Sequence, residues 1–136
     1  SRVLAERMVN QADQQSSQQP AAMVFVGWDQ ALQGMEGDAG QMFGPAKAAV
    51  MAFANSLAQS TGPQLRVNTI APGWIRTSWG ETTSDYWDQR AKGQALMERW
   101  GSVDDIAKAV LYAADPANTF LTAQTIQLNG GFNRRF

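Results

Sequence analysis

Cysteine and histidine are both missing from this 136-residue chain. Without cysteine there can be neither a disulfide nor a thiolate metal site. Without histidine the chain lacks the side chain that most often serves as general base or metal ligand near neutral pH, so no metal is expected. Charge is also scarce. Eleven Lys and Arg against twelve Asp and Glu leave a net charge of −1, which offers no electrostatic hold on nucleic acid or an anionic membrane surface. No apolar run reaches the roughly 18 residues of a membrane-spanning helix, and the first residues lack the basic-then-apolar order of a signal peptide. The expectation is a soluble, cytoplasmic protein with no nucleic-acid and no membrane partner. One further absence concerns phosphate. Gly27, Gly34, Gly37, Gly40 and Gly44 are present, but none falls in the G-x-G-x-x-G spacing after a strand that cradles a pyrophosphate.

The remaining composition, 44% hydrophobic and 17% charged, suits one folded unit, and its periodicities alternate between helix and strand. Val3, Leu4, Met8 and Val9 recur at helical spacing, predicting an amphipathic helix over 2–14. A Gln- and Ser-rich linker follows. Ala22 to Gly27 is a continuous apolar run, as expected of a strand covered on both faces of a parallel sheet. A loop is expected over 28–40 and a long helix over 41–60, rich in alanine at positions 46, 48, 49, 52, 54 and 58. Leu65–Ile70 reads as a second strand and Thr125–Leu128 as a third. Between them lie an aromatic, charged excursion over 78–98 with short helices and a helix from Ser102 to about Ala114. Ser102 and Asp105 are spaced as a capping box. The pattern predicts an α/β fold: a partial, doubly wound, Rossmann-like parallel sheet of about three strands with flanking helices. A strand at 22–27 on the sheet edge would leave an apolar border to be covered.

Four segments in order carry chemistry. They are Phe43-Gly44-Pro45-Ala46-Lys47, Pro72-Gly73-Trp74-Ile75-Arg76-Thr77, Arg99-Trp100-Gly101-Ser102-Val103-Asp104-Asp105, and Gln127-Leu128-Asn129-Gly130-Gly131. Phe43 and Lys47 are four residues apart, one turn on the same helix face. Taken together over roughly residues 23–131, the segments resemble the C-terminal half of a short-chain dehydrogenase/reductase.

The resemblance implies a set of roles. A tyrosine would donate a proton to a carbonyl oxygen while nicotinamide delivers hydride, a serine would hold that oxygen, and a lysine would bind the ribose and lower the phenol's pKa from about 10. Lys47 stands at the lysine position. Phe43 stands at the tyrosine position and has no proton to give, so Lys47 is a vestigial catalytic residue. The serine should follow the strand at 22–27, but Gly27-Trp28-Asp29-Gln30-Ala31 holds no hydroxyl. Asp29 and Gln30 are the polar groups there able to hydrogen-bond a ligand. The loop Pro72, Gly73, Ile75 and Thr77 implies contact with the nicotinamide amide, alongside Lys47 as cofactor-binding residues. Trp79, Tyr86 and Trp87 fall in the family's substrate-lid segment, and Tyr86 has no geometry tying it to Lys47. Arg99 and Asp105 are read as structural polar contacts.

The N-terminal dinucleotide-binding half of such a fold is not in this sequence, and the first helix begins without a lead-in. Accordingly the chain is expected to be an incomplete unit: helix and linker (1–20), strand–loop–helix–strand (21–77), lid-like segment (78–100), then helix, last strand and tail (101–136). No cofactor is expected on this chain alone, and NAD(P) only if an N-terminal half completes it. The functional expectation is a catalytically impaired oxidoreductase-like pseudoenzyme. The alternatives are a self-associating interaction module and one half of a split oxidoreductase. Partners would be further copies, through the helix at 41–60 and the last strand, or the missing half.

Overall fold

The structure is a computed structural model that describes residues 1–15 and 19–132, with the backbone alone at Gln15, Ala39 and Trp79. Part of the Gln/Ser linker and the end of the tail thus lie outside the described residues. In chain order the elements are α1 (Arg2–Gln15), β1 (Ala21–Val26), α2 (Gly37–Thr61), β2 (Leu65–Pro72), α3 (Ser78–Glu81), α4 (Asp85–Gln94), α5 (Val103–Ala114) and β3 (Thr125–Leu128). The strands form a three-stranded parallel sheet in the order β1-β2-β3. Parallel neighbours need a crossover, supplied here by α2 and α5. The α/β class and the parallel sheet are as expected from the sequence. Among the described residues β1 pairs with β2 alone, so its other edge is open.

β2 is the central strand, and Leu65 through Ala71 are all buried. Because successive side chains point to opposite faces, this strand does two jobs. Leu65 and Val67 join Ala54, Leu57 and Ala58 of α2 and Ala5 of α1 in the hydrophobic core. Arg66 and Asn68 point the other way. The Arg66 guanidinium donates to the Ala113 carbonyl at 2.9 Å, to Asp115 at 3.0 Å and to Leu121 at 3.3 Å. The carbonyls at the C-terminal end of α5 thereby gain a cationic donor where the helix itself offers none. Asn68 donates to Leu121 O at 2.9 Å and accepts from Gln124 N at 3.1 Å. These two side chains fix the connection from α5 to β3.

α2 starts four residues earlier than the glycine-rich sequence suggests, at Gly37 instead of 41. The cause is packing. A Cβ on Gly40 would lie 2.3 Å from the Met35 carbonyl oxygen, so this glycine lets the first turn press against the loop before it. Asp38 in that turn complements the positive end of the helix. α5 opens on the capping box expected for it. Ser102 Oγ accepts from Asp105 N at 3.0 Å, and the Asp105 carboxylate accepts from Ser102 N at 2.8 Å. Arg99 donates to the same carboxylate at 2.8 Å, and that bond, ahead of the one from the Ser102 backbone, holds the Asp105 carboxyl below the usual range.

All three strands run the same way, so their carboxyl ends share one border of the sheet. In open α/β sheets that border is where ligands bind.

Candidate functional site

An open cleft of about 520 Å³ lies at this border. It brings together Phe43 and Lys47 from α2 with Pro72, the last residue of β2, and Gly73, Ile75 and Thr77 from the segment that follows. Trp28, Trp74, Trp100 and Ile106 supply further apolar wall. Residues from one helix and one distant loop, singled out separately in the sequence, thus share a single cavity.

The lysine and the aromatic ring face each other closely. Lys47 Nζ donates to the Val26 carbonyl at 2.9 Å and sits 5.4 Å from the Phe43 ring centroid, within the distance of about 6 Å at which a cation is drawn to a ring face. Phe43 is half-exposed and packs edge-to-face on Trp28, with centroids 5.2 Å apart. An ammonium has three donors, and the described contacts of Lys47 use one. The pair holds a cation and an aromatic surface but no transferable phenolic proton.

The wall opposite is pinned by backbone. Asp29 N donates to Pro72 O and Gly73 N to Leu128 O, each at 3.1 Å. Arg76 N donates to Gly101 O at 2.8 Å and Gly101 N to Trp74 O at 2.9 Å. A Cβ on Gly73 would come within 2.5 Å of Asn129 Cβ, so only glycine allows the loop to lie against the turn after β3.

Behind this loop sits a pair that spans the whole chain. Asn129 Nδ2 donates to Asp29 Oδ2 at 3.1 Å, and Asn129 Oδ1 accepts from the backbone N–H of Gly131 at 3.1 Å and of Phe132 at 3.2 Å. Asp29 is 4% exposed, and its Oδ1 has no partner among the described residues. Burial pushes its carboxyl up to about 6, against the opposing effect of the Asn129 hydrogen bond. Gln30 is buried as well. Of the segment after β1, Gly27 and Trp28 line the cleft, while Asp29 and Gln30 do not.

The lid-like segment forms an aromatic stack beside the cleft. Trp74 packs on Trp87 at 5.6 Å and on Trp100 at 5.9 Å. Trp100 Nε1 donates to Asp88 at 2.9 Å and Trp74 Nε1 to Gln94 at 3.0 Å, which satisfies both indoles. Tyr86 and Trp87 lie on α4, and neither is among the residues lining the cleft. The Tyr86 hydroxyl accepts from Arg90 at 3.2 Å. Arg90 also grips the Glu36 carboxylate with two N–H groups, clasping α4 to the segment just before α2. The side chain of Trp79 lies outside the described residues. Trp74, Trp100 and Ile106 were not assigned to a cofactor site from sequence. Aromatic density around Trp74 and Trp100 does not say which rings turn inward, and Ile106 carries no site signal of its own.

A parallel sheet with flanking helices and a cleft at the strand ends define a Rossmann-like class of α/β fold. The comparisons narrow this. The family model described as enoyl-(acyl carrier protein) reductase matches residues 5–133, and the chain belongs to this short-chain dehydrogenase/reductase family. A 3-oxoacyl-[acyl-carrier-protein] reductase of Vibrio harveyi is 37% identical over 102 residues, covering 72% of this chain and 41% of that protein. The crystal structure of a 3-oxoacyl-[acyl-carrier protein] reductase from Brucella melitensis matches 96% of this chain and 46% of its own with a TM-score of 0.83 at 24% identity. A 7α-hydroxysteroid dehydrogenase solved with NADH and 7-oxo glycochenodeoxycholic acid matches 97% of this chain and 49% of its own, with a TM-score of 0.79 at 24% identity. The chain spans about two fifths of the length of the curated relatives it matches. No described helix is long and apolar enough to cross a membrane, and the described residues hold no cluster of metal-ligating side chains.

Proposed function

We propose that this chain is a catalytically impaired short-chain dehydrogenase/reductase module that keeps the nicotinamide-facing wall of a cofactor cleft and lacks the acid that completes hydride transfer. One observation carries the reading: Phe43 and Lys47 share a cleft with Pro72, Gly73, Ile75 and Thr77. In that cleft Lys47 would hold a ribose hydroxyl through its N–H groups. The segment from Pro72 to Thr77 would offer backbone groups and a hydroxyl to a carboxamide. Bound nicotinamide would supply the hydride. The carbonyl oxygen would still need a proton, and loss of a positioned donor costs roughly 10²–10⁴-fold in rate. Trp28 fills space next to Phe43 where a small hydroxyl side chain would serve, which removes the second group able to hold that oxygen.

A second reading draws on β1. Its open edge suits a further parallel strand, so a polypeptide carrying the phosphate-binding turn could complete the sheet and the cofactor site. A homo-oligomer built on α2, whose Ala49, Ala52 and Phe53 are exposed, belongs to the same proposal, as does residence in the cytoplasm.

The test is consumption of NADH and NADPH with an activated ketone, with and without the chain. A rate equal to the protein-free control is expected. A saturable rate that Lys47→Met removes would sink the reading.

A further inference from the structure

The cleft is only one of two adjoining lobes. Trp28 and Phe43 line it on one side, and on the other they line a second cavity of about 430 Å³ whose remaining wall is Met35, Gly40, Met42 and Ala46. Among the described residues this outer lobe has no charged side chain in its wall, and Met42 there is 77% exposed. In the inner lobe Lys47 is the one charged residue among those described, set among Val26, Trp28, Phe43, Trp74 and Ile106. Its N–H groups beyond the one given to Val26 O lack a described acceptor, and a carboxylate would accept from them in charge-assisted bonds. The aromatic pair between the lobes presents flat apolar surface to whatever passes along it.

We infer that the two lobes form one site for an amphipathic monocarboxylate, with its carboxylate on Lys47 and its apolar chain crossing the Trp28–Phe43 pair into the outer lobe. Charge complementarity selects the head group. Among the described residues neither lining holds a second cation, which favours one negative charge over two. The substitution that removes the acid also favours this occupant, because a phenyl ring at 43 extends the apolar channel past the lysine where a phenol would interrupt it. The inference rests on the cleft of the proposed function being a binding site and does not depend on the loss of proton transfer. The ketone assay examines that loss separately: a chain that bound a carboxylate and also reduced ketones would lose the first reading and keep this one.

The experiment is titration of the intact chain with dodecanoate and with dodecanol, followed by the fluorescence of the tryptophans around the cleft. Saturable binding of dodecanoate is expected, tighter than dodecanol by about tenfold or more, the equivalent of one charge-assisted contact. Lys47→Met should remove the preference for dodecanoate over dodecanol. Met42→Asp, at an exposed position, should weaken dodecanoate and leave hexanoate, too short to reach the outer lobe, unaffected. Equal affinity for acid and alcohol in the unaltered chain would overturn the head-group assignment without relying on any variant. Indifference of dodecanoate to Met42→Asp would overturn the path of the tail. Absence of saturable binding, with the chain self-associated at the concentration used, would mean that a second copy covers the cleft and would overturn the proposal.

Discussion

Replacing Asp29 by asparagine should make the protein more stable at neutral pH and remove most of its stability change between mildly acidic and neutral conditions. The carboxyl is 4% exposed, accepts one side-chain hydrogen bond from Asn129, and leaves Oδ1 unpartnered. Burial raises it from 3.8 to about 6. A shift of that size corresponds to roughly 3 kcal/mol, at about 1.4 kcal/mol per unit. The folded carboxyl holds its proton more tightly than the unfolded one. Its contribution to stability is therefore complete below the unfolded value of 3.8, falls as pH rises toward about 6, and is lost above that. Asp88 and Asp105 act in the opposite sense, because Lys92 and Arg99 respectively hold them below the usual range. What they contribute is lost only as pH falls below the unfolded carboxylate range, so the two effects occupy different windows. Asparagine keeps an oxygen for Asn129 Nδ2 and brings no charge to desolvate. Urea unfolding followed by tryptophan fluorescence, from about pH 5 to about pH 7.5, should show stability falling with pH in the unaltered chain and nearly flat in Asp29→Asn. At the upper end the variant should be more stable by roughly 1–3 kcal/mol. A variant with the same pH slope, or one less stable at neutral pH, would refute the reasoning, since the ionised carboxylate would then be favoured by the fold.

Arg66→Met fills the buried volume but takes the donor away from three carbonyls. It should cost about 2–4 kcal/mol in urea unfolding, and a change below about 0.5 kcal/mol would mean that water replaces the guanidinium without loss. Ser102→Ala removes one arm of the capping box and should cost about 1 kcal/mol by the same measurement. Arg90→Ala releases the clasp between α4 and Glu36. Hydrogen exchange should speed up over residues 85–94 while global stability changes by less than about 1 kcal/mol, as befits a partly exposed ion pair.

What could be read from the sequence alone follows from the range of the interactions involved. The apolar run at β1, the alternation of elements and the Ser102–Asp105 box are local signals, and the structure has each of these elements, although β1 is only half-buried where cover on both faces was expected. The helical face shared by Phe43 and Lys47 is equally local. Their meeting with Pro72 and Thr77 was expected only from family resemblance, since no periodicity relates α2 to a loop beyond β2. Asp29 and Asn129 are 100 residues apart, and nothing in Trp28-Asp29-Gln30 tells a buried carboxyl from an exposed one. Arg66 lies in an otherwise apolar strand, and its burial becomes intelligible only once the end of α5 is placed over it. The sequence pattern puts the start of α2 too late because Gly34 to Gly40 has loop composition. Close backbone approach at Gly40, which uses glycine for room more than for freedom, leaves the same trace in sequence as a flexible turn.

The reading of the cleft as a reductase site without its acid can be tested by restoring the hydroxyl. In Phe43→Tyr the introduced phenol would stand near Lys47 Nζ, which lies 5.4 Å from the present ring centroid. Its ionisation can be followed by ultraviolet absorbance against the unaltered chain, which carries Tyr86 and Tyr112 as background. The expected result is a new phenol titrating about one unit or more below the free value near 10, returning toward that value when Lys47→Met is added. A phenol that titrates at or above the free value, indifferent to Lys47, would contradict the assignment of this helix face as the acid–lysine pair of the family.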